Sequence, residues 1–242
     1  MKHRVVAACR LLVLAAALAA VALLLVSGLG NRFGWWPYRT GFELLRWASY
    51  VGIAAAVAAI IALAVPKLRT GWTRVLIGAL GVGVAVAYVP WQWQQRAQSL
   101  PRIHDITTDT VDPPQFVAVL PLRAGAPNTA AYGGKEIAEQ QLKGYPDIQP
   151  LALSVPPGVA FGRARDAAES MGWEIVAADP AAGRIEATAT TLWFGFKDDI
   201  VVRVSPTEQG SRIDVRSVSR VGRSDIGTNA KRIREYLAKL RG

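Results

Sequence analysis

The sequence has few of the residues on which disulfides, metal sites and nucleophilic catalysis depend. It contains one cysteine, Cys9, and two histidines, His3 and His104, in 242 residues. A disulfide within the chain is therefore excluded, and no cluster has the ligand count of a zinc site. His104 is the only histidine beyond the first few residues, and no G-x-S-x-G motif is present, which argues against a Ser-His-Asp hydrolase. We predict no cofactor and no bound metal, and we assign no catalytic residue.

Charge is absent from three long apolar stretches in the first 95 residues. Leu11 to Asn31, Trp47 to Pro66 and Val75 to Gln95 contain no Asp, Glu, Lys or Arg. Each is long enough to cross a hydrocarbon layer of about 30 Å as a helix. No ionisable residue lies at mid-membrane depth, so a proton relay or ion pathway has no support. The stretches predict a three-span transmembrane anchor.

Acidic residues are nearly missing from this first half, which explains the net charge of +10. Residues 1 to 96 hold ten Lys or Arg and one acid, Glu43, whereas residues 97 to 242 hold eighteen basic and seventeen acidic residues. The positive charge therefore belongs to the membrane half, where it sets topology and meets anionic lipid headgroups. This distribution excludes a nucleic-acid partner.

The positions of the basic and aromatic residues predict an orientation. Basic residues precede the first span and occupy the loop between the second and third spans, so the positive-inside rule places the N-terminus in the cytoplasm. Arg32, Arg39 and Arg46 in the other loop weaken that signal. Eight aromatic residues restore it, because all fall at the opposite interface: Trp35, Trp36, Tyr38, Trp47, Tyr50, Tyr88, Trp91 and Trp93. We predict a bacterial inner membrane protein with a periplasmic C-terminal domain.

Composition divides the chain into three parts. Residues 1–95 form the anchor, and residues 96–150 are rich in proline and threonine, which predicts an extended arm with turns and one short helix at Lys135 to Lys143. Residues 151–242 read as a compact α+β domain. In it, a helix after Pro156 and Pro157 precedes four strand candidates separated by short turns, and a second helix closes the domain. The order α-β-β-β-β-α predicts an antiparallel four-stranded meander with two helices on one face.

Polar residues are more closely and more regularly spaced between Val215 and Ile233 than elsewhere in the chain. In this stretch a predicted strand, with a period of two residues, is followed by a predicted helix, with a period of 3.6 residues. Ser224 or Asp225 can cap this helix, and Asp225, Asn229, Arg232 and Tyr236 fall along one edge of its apolar stripe. One interpretation is that this edge fastens the helix to the sheet. The other is a ligand or partner site.

Charged residues also alternate along the last two strands. Pairing across the turn at 206–210 would place Asp199 and Arg203 on the same face as Arg212, Asp214 and Arg216, as a solvated charge ladder or as an anion site. The binding candidates from both stretches are Asp199, Arg203, Arg216, Ser217, Ser219, Arg220, Asp225, Asn229 and Arg232. Trp193, Phe194 and Phe196 crowd one predicted turn; they suit core packing or a contact with membrane or ligand.

Four segments resemble the domain of unknown function 1499 family: D-P-P-Q-F from Asp112, Y-P-D-I-Q-P-L from Tyr145, T-L-W-F-G-F-K-D-D-I from Thr191, and the run from Arg216 to Arg232. The similarity covers roughly residues 101 to 241, and the last run is its most specific part. Members occur in bacterial membrane proteins and in plastid lumenal proteins. The resemblance implies an extracytoplasmic domain of about this length and implies no activity.

Two functional hypotheses follow from the sequence. The first is a non-enzymatic envelope protein whose domain binds a lipid, peptide or protein partner. The alternative is an enzyme that acts on an anionic envelope substrate through an Asp/Arg/Asn site.

Overall fold

The computed structural model describes residues 2–241 and separates into two compact units. Unit 1 extends to Arg96 and also contains Leu192–Gly195, while unit 2 comprises Ala97–Thr191 and Phe196–Gly242.

Unit 1 is built from helices. They are α1 (Lys2–Arg32), α2 (Tyr38–Ala64), the short α3 (Pro66–Arg69) and α4 (Thr73–Ser99). α1, α2 and α4 are long and apolar enough to cross a membrane. The chain is therefore membrane-associated through three apolar helices, as the sequence predicts.

Small residues let these helices approach closely. Ala48, Ala55 and Ala59 of α2 are fully buried against their neighbours. A Cβ atom at Gly52 would lie only 2.9 Å from the carbonyl oxygen of Gly83, so α2 and α4 pack backbone to backbone at this point. In lipid, such close van der Waals packing replaces the hydrophobic effect as the force that holds helices together.

Unit 2 contains a mixed set of helices and strands. They are β1 (Asp105–Thr107), α5 (Gly134–Gly144), β2 (Leu151–Leu153), α6 (Pro157–Ser170), β3 (Glu174–Asp179), β4 (Arg184–Thr190), β5 (Lys197–Thr207), β6 (Gly210–Ser219) and α7 (Thr228–Arg241). A single turn of 3-10 helix, Pro121–Arg123, lies between β1 and α5. The four longest strands form the predicted antiparallel meander, β3-β4-β5-β6.

The predicted strand number is wrong, because the sheet has six strands and not four. Both additional strands pair with β6 in the antiparallel sense: β1 along Arg216–Val218 and β2 along Ser211–Ile213. They share one edge of β6, end to end. Each has three residues, too few to show the alternation from which the longer strands are predicted. The outer edge of β1 is closed by Gln141, whose side chain both accepts from and donates to the backbone of Thr107.

The apolar core lies between one sheet face, here called the helix face, and helices α6 and α7. Residues that alternate along the strands enter it, among them Ile185, Val202 and Val215, and the helices contribute Phe161 and Ile233. Each such fully buried side chain stabilises the fold by about 1.5–3 kcal/mol. At the far end Trp173 stacks on Tyr236 at 4.9 Å between ring centroids, and the Tyr236 hydroxyl donates to the Ala164 carbonyl.

Residues 97–150 contribute to the same core. Ile103, Ile106, Tyr145 and Ile148 belong to the buried cluster that α6 and α7 complete. The predicted boundary at residue 151 therefore separates residues that pack together in unit 2. The opposite face of the sheet, here called the loop face, is covered by residues 109–132, which include only the 3-10 turn as regular structure.

Candidate functional site

The start of α7 gathers one polar cluster on the helix face. The carboxylate of Asp225 accepts hydrogen bonds from the backbone N–H groups of Asn229 at 2.6 Å and Gly227 at 3.0 Å. The Asn229 N–H is one of the donors that the first turn of a helix leaves without a partner, so Asp225 acts as the predicted cap. Burial raises the pKa of Asp225 to about 6, although the two backbone donors act in the opposite direction.

Asn229 joins this helix to the sheet. Its side-chain oxygen accepts from the hydroxyl of Ser217 and from Arg232, and its amide group donates to the Ser219 hydroxyl and the His104 carbonyl. Arg232 also donates to Asp198 at 2.6 Å. A buried asparagine is costly unless its amide is paired, and here the side chain has four partners.

Arg216 lies on the loop face and is fully buried. Its Nε and Nη2 atoms donate to both oxygens of Asp105, at 2.9 and 2.7 Å. Its remaining donors reach the backbone carbonyls of Pro114 and Ala130. The guanidinium also lies over the rings of Phe116 and Tyr132. Every side of this guanidinium is therefore occupied by the protein itself.

A second buried carboxylate on the same face is Asp199. Arg220 donates to both of its oxygens, at 2.9 and 2.8 Å, and Thr188 donates from its hydroxyl. A second guanidinium, that of Arg123, lies 3.2 Å away. Burial lowers the pKa of Arg123, and Asp199 acts against that shift.

Asp214 is the centre of the third ion-pair group. It accepts hydrogen bonds from Arg203 and Arg212, and Arg203 is its direct cross-strand partner. Both arginines extend to Asp109, and Arg203 also reaches Asp112. Burial by itself would raise the pKa of Asp109, but backbone N–H groups and these two guanidinium groups hold it below its usual value.

Glu186 of β4 holds the loop in a different way. Its side chain is fully buried, and its two oxygens accept 3.0 Å hydrogen bonds from the consecutive N–H groups of Val117, Ala118 and Val119. Arg184 pairs with it at 3.1 Å. Consecutive backbone N–H groups that converge on one anion form a favourable anion-binding concavity. Here the anion is part of the sheet, so the loop is fixed to it.

The loop thus fixed turns several aliphatic side chains outward. Val117, Leu120 and Leu122 are each about half exposed, and Val111 is 94% exposed. Three of them lie within six residues, in the segment that Glu186, Arg220 and Arg123 hold. The result is an apolar surface on a loop whose backbone is anchored by charged side chains.

The three aromatic residues of the predicted turn, Trp193, Phe194 and Phe196, are divided between the two units. Trp193 and Phe194 belong to unit 1, where Phe194 is buried, its ring centroid 5.2 Å from that of Phe42, and Trp193 lies at the same distance from Trp93. Phe196 belongs to unit 2, where its backbone pairs with Thr191. Of the two interpretations of the turn, packing against protein describes Phe194.

The structure thus sorts the sequence candidates into separate groups. Ser217, Ser219, Asp225, Asn229 and Arg232 meet at the start of α7, whereas Asp199, Arg203, Arg216 and Arg220 lie on the opposite face in three ion-pair groups. Asp198 and Asp199 accordingly bind different arginines. Among the described residues, no group of three or more His, Cys, Asp or Glu is arranged to hold a metal ion.

Sequence reasoning missed the partners of these arginines. Asp105, Asp109 and Asp112 come from the segment read as an extended arm, and Glu186 was not singled out. A signal was present: the arm places three aspartates within eight residues, and arginines recur every four residues along β6 and just beyond its end, at 212, 216 and 220, which is a complementary charge pattern.

Comparison with known proteins adds one finding. The family model described as protein of unknown function (DUF1499) matches residues 105–240, which is more than half of the chain and nearly all of unit 2. A search of the curated proteins finds no match.

Proposed function

The chain belongs to the DUF1499 family of proteins of unknown function, and we propose that it is a non-enzymatic envelope protein of a bacterial inner membrane. In this proposal, three spans hold unit 2 on the periplasmic side. There unit 2 binds a lipid, peptide or protein partner.

The contacts within unit 1 support this orientation. Arg10 donates to the carbonyls of Leu68, Lys67 and Thr70, so the basic start of α1 and the basic segment around α3 lie at the same end. By the positive-inside rule this end is cytoplasmic. The chain leaves α4 at the other end, where the aromatic residues collect, and continues into unit 2.

The single observation that carries the binding proposal is the fixed apolar loop. Loops are usually mobile, and unordered aliphatic side chains bind partners poorly because ordering them costs conformational entropy. In unit 2 the backbone part of that entropy is lost on folding, since Glu186, Arg216, Arg220 and Arg203 hold the loop backbone. The backbone that carries Val117, Leu120 and Leu122 is thus held in one conformation, which lowers the entropy cost of binding.

The proposal is tested with the full-length protein purified in a mild detergent. The co-purified lipids and proteins are identified by mass spectrometry for the natural chain and for a Leu120→Asp, Leu122→Asp variant. The matched control is Leu142→Asp, Val159→Asp, which charges two other half-exposed aliphatic residues of unit 2. We expect a defined companion that the loop variant loses and the control keeps. Equal recovery from both variants, or no specific companion, would contradict the proposal.

Orientation has a separate test. A cysteine at Leu122, in a chain with Cys9 replaced by Ser, should react with a membrane-impermeant maleimide in intact spheroplasts, whereas a cysteine at Thr70 should react only after lysis. The reverse pattern would place unit 2 in the cytoplasm.

A further inference from the structure

Unit 1 contains a groove between α2 and α4 that the function proposed for unit 2 does not use. Its volume is about 770 Å³. The α2 wall includes Arg39, Glu43, Arg46 and Tyr50, which recur at helical spacing and so form one stripe. The α4 wall includes Trp91 one turn away from Ala87.

The groove changes character along its length. Arg39 and Arg46 lie in the first three turns of α2, at the end of the bundle where the aromatic residues collect. Ser49, Tyr50 and Ile53 continue the same stripe toward the centre of the helix, and Ala87 faces them from α4. One end is therefore cationic and the other apolar, with Tyr50 and Trp91 between them. Tyrosine and tryptophan favour the depth at which lipid headgroups meet acyl chains.

The two arginines are available for an external anion. Arg39 and Arg46 are both exposed, and neither forms an ion pair or hydrogen bond within residues 2–241. This contrasts with the arginines on the sheet of unit 2, whose guanidinium groups are occupied by internal carboxylates and carbonyls. A guanidinium presents a planar set of donors that matches a phosphate group.

We infer that this groove binds one anionic glycerophospholipid, with its phosphate headgroup on Arg39 and Arg46 and an acyl chain along Ser49, Ile53 and Ala87. Charge complementarity selects the headgroup, and the apolar half of the groove selects a lipid over a soluble phosphate. The inference depends on the three helices crossing a bilayer and is independent of the partner proposed for unit 2.

Glu43 provides an internal check on the electrostatics. It lies on the same stripe between the two arginines, and it has no ion-pair partner among the described residues. An unpaired carboxylate repels a phosphate, so its removal should strengthen binding where removal of either arginine weakens it. If the groove bound any lipid regardless of charge, removing Glu43 and removing an arginine would not change lipid binding in opposite directions.

The test uses the full chain in nanodiscs and a phosphatidylglycerol that carries a photoactivatable diazirine in one acyl chain. Cross-linked residues are located by mass spectrometry. We expect cross-links at Ser49, Ile53 and Ala87 that compete with unlabelled phosphatidylglycerol. Each arginine near the bilayer surface accounts for about fivefold in affinity, so Arg39→Gln, Arg46→Gln should reduce the cross-links about 25-fold. Glu43→Gln should increase them.

The matched control is Arg69→Gln, Arg74→Gln, which removes two exposed arginines from the other end of unit 1 and should leave the groove cross-links unchanged. Cross-links spread evenly along all three helices would overturn the inference, as would equal labelling by a zwitterionic phosphatidylcholine probe. Competition by free glycerol phosphate at the same concentration as lipid would show a soluble phosphate site instead. Circular dichroism of each variant verifies that the helices remain folded.

Discussion

Glu186→Gln tests whether an internal anion holds the loop on the sheet. Oε1 accepts from the N–H groups of Val117 and Ala118, and Oε2 accepts from Val117 and Val119. A glutamine keeps the shape and one acceptor oxygen, but its NH2 group would oppose a backbone donor. Two buried donors, the Val119 N–H and the new amide, would then lack acceptors. At about 1–3 kcal/mol for each unsatisfied group, the local cost is about 2–6 kcal/mol.

The measurement is amide hydrogen exchange of the full-length protein in detergent, read by mass spectrometry. A cost of about 2 kcal/mol, the low end of the range, corresponds to a fall of about 30-fold in the protection of amides 117–119. The matched control is Glu174→Gln on β3, an exposed glutamate whose change should alter protection less than about twofold. The reasoning is refuted if both variants behave alike. It is also refuted if protection falls evenly through β4, β5 and β6, because Glu186 would then stabilise the whole unit and not the loop.

Two further predictions concern single charged groups, both read by urea unfolding with pulse proteolysis of unit 2. Burial raises the pKa of Asp225 from 3.8 to about 6, so its contribution to stability is fully present below pH 4 and is lost as the pH rises through 6. The free energy of unfolding of Asp225→Asn relative to the natural chain should therefore increase by about 2.5 kcal/mol between pH 4 and pH 7, and a constant difference would contradict the assignment. Arg216→Met should cost about 3–5 kcal/mol because it leaves the Asp105 carboxylate buried without its partner. Adding Asp105→Leu should recover part of that loss, and a double variant less stable than the single one would refute this explanation.

The sequence predicted those parts of the fold that repeat a pattern within a short stretch. Two patterns each indicate an element with one buried face: the alternation along Ser211 to Ser219 and the apolar stripe from Ala230 to Leu240. The first predicts strand β6 and the second predicts helix α7. The capping role of Asp225 was equally local, because a helix start needs an acceptor within a few residues. These features depend only on neighbouring positions.

The features that the sequence did not predict depend on contacts between residues far apart in the chain. β1 and β2 are strands only because β6 offers an open edge with which they pair. A segment of three residues is too short for its own sequence pattern to predict such a strand. The sequence leaves Arg216 with two interpretations, a solvated charge ladder and an anion site, because its partner, Asp105, is 111 positions away. Trp193 and Phe194 lie in a turn between two strands of unit 2, yet they pack in unit 1. No local periodicity encodes such pairings.

The buried charges of unit 2 are better explained by the loop than by stability. A buried ion pair often contributes less to stability than well-packed apolar residues of the same volume, because both charges lose their hydration. The loop at 109–132, however, has almost no regular structure to satisfy its own N–H and C=O groups, and buried backbone groups need partners.

The charged side chains supply those partners. Glu186 accepts hydrogen bonds from three consecutive N–H groups. Arg216 donates to the carbonyls of Pro114 and Ala130, and Arg220 donates to the carbonyl of Leu122. A carboxylate or guanidinium can serve several backbone groups that diverge in direction, which an aliphatic side chain cannot. The charges therefore specify one conformation for a segment that lacks a helix or strand ladder. The proposed presentation of Val117, Leu120 and Leu122 to a partner depends on this single loop conformation.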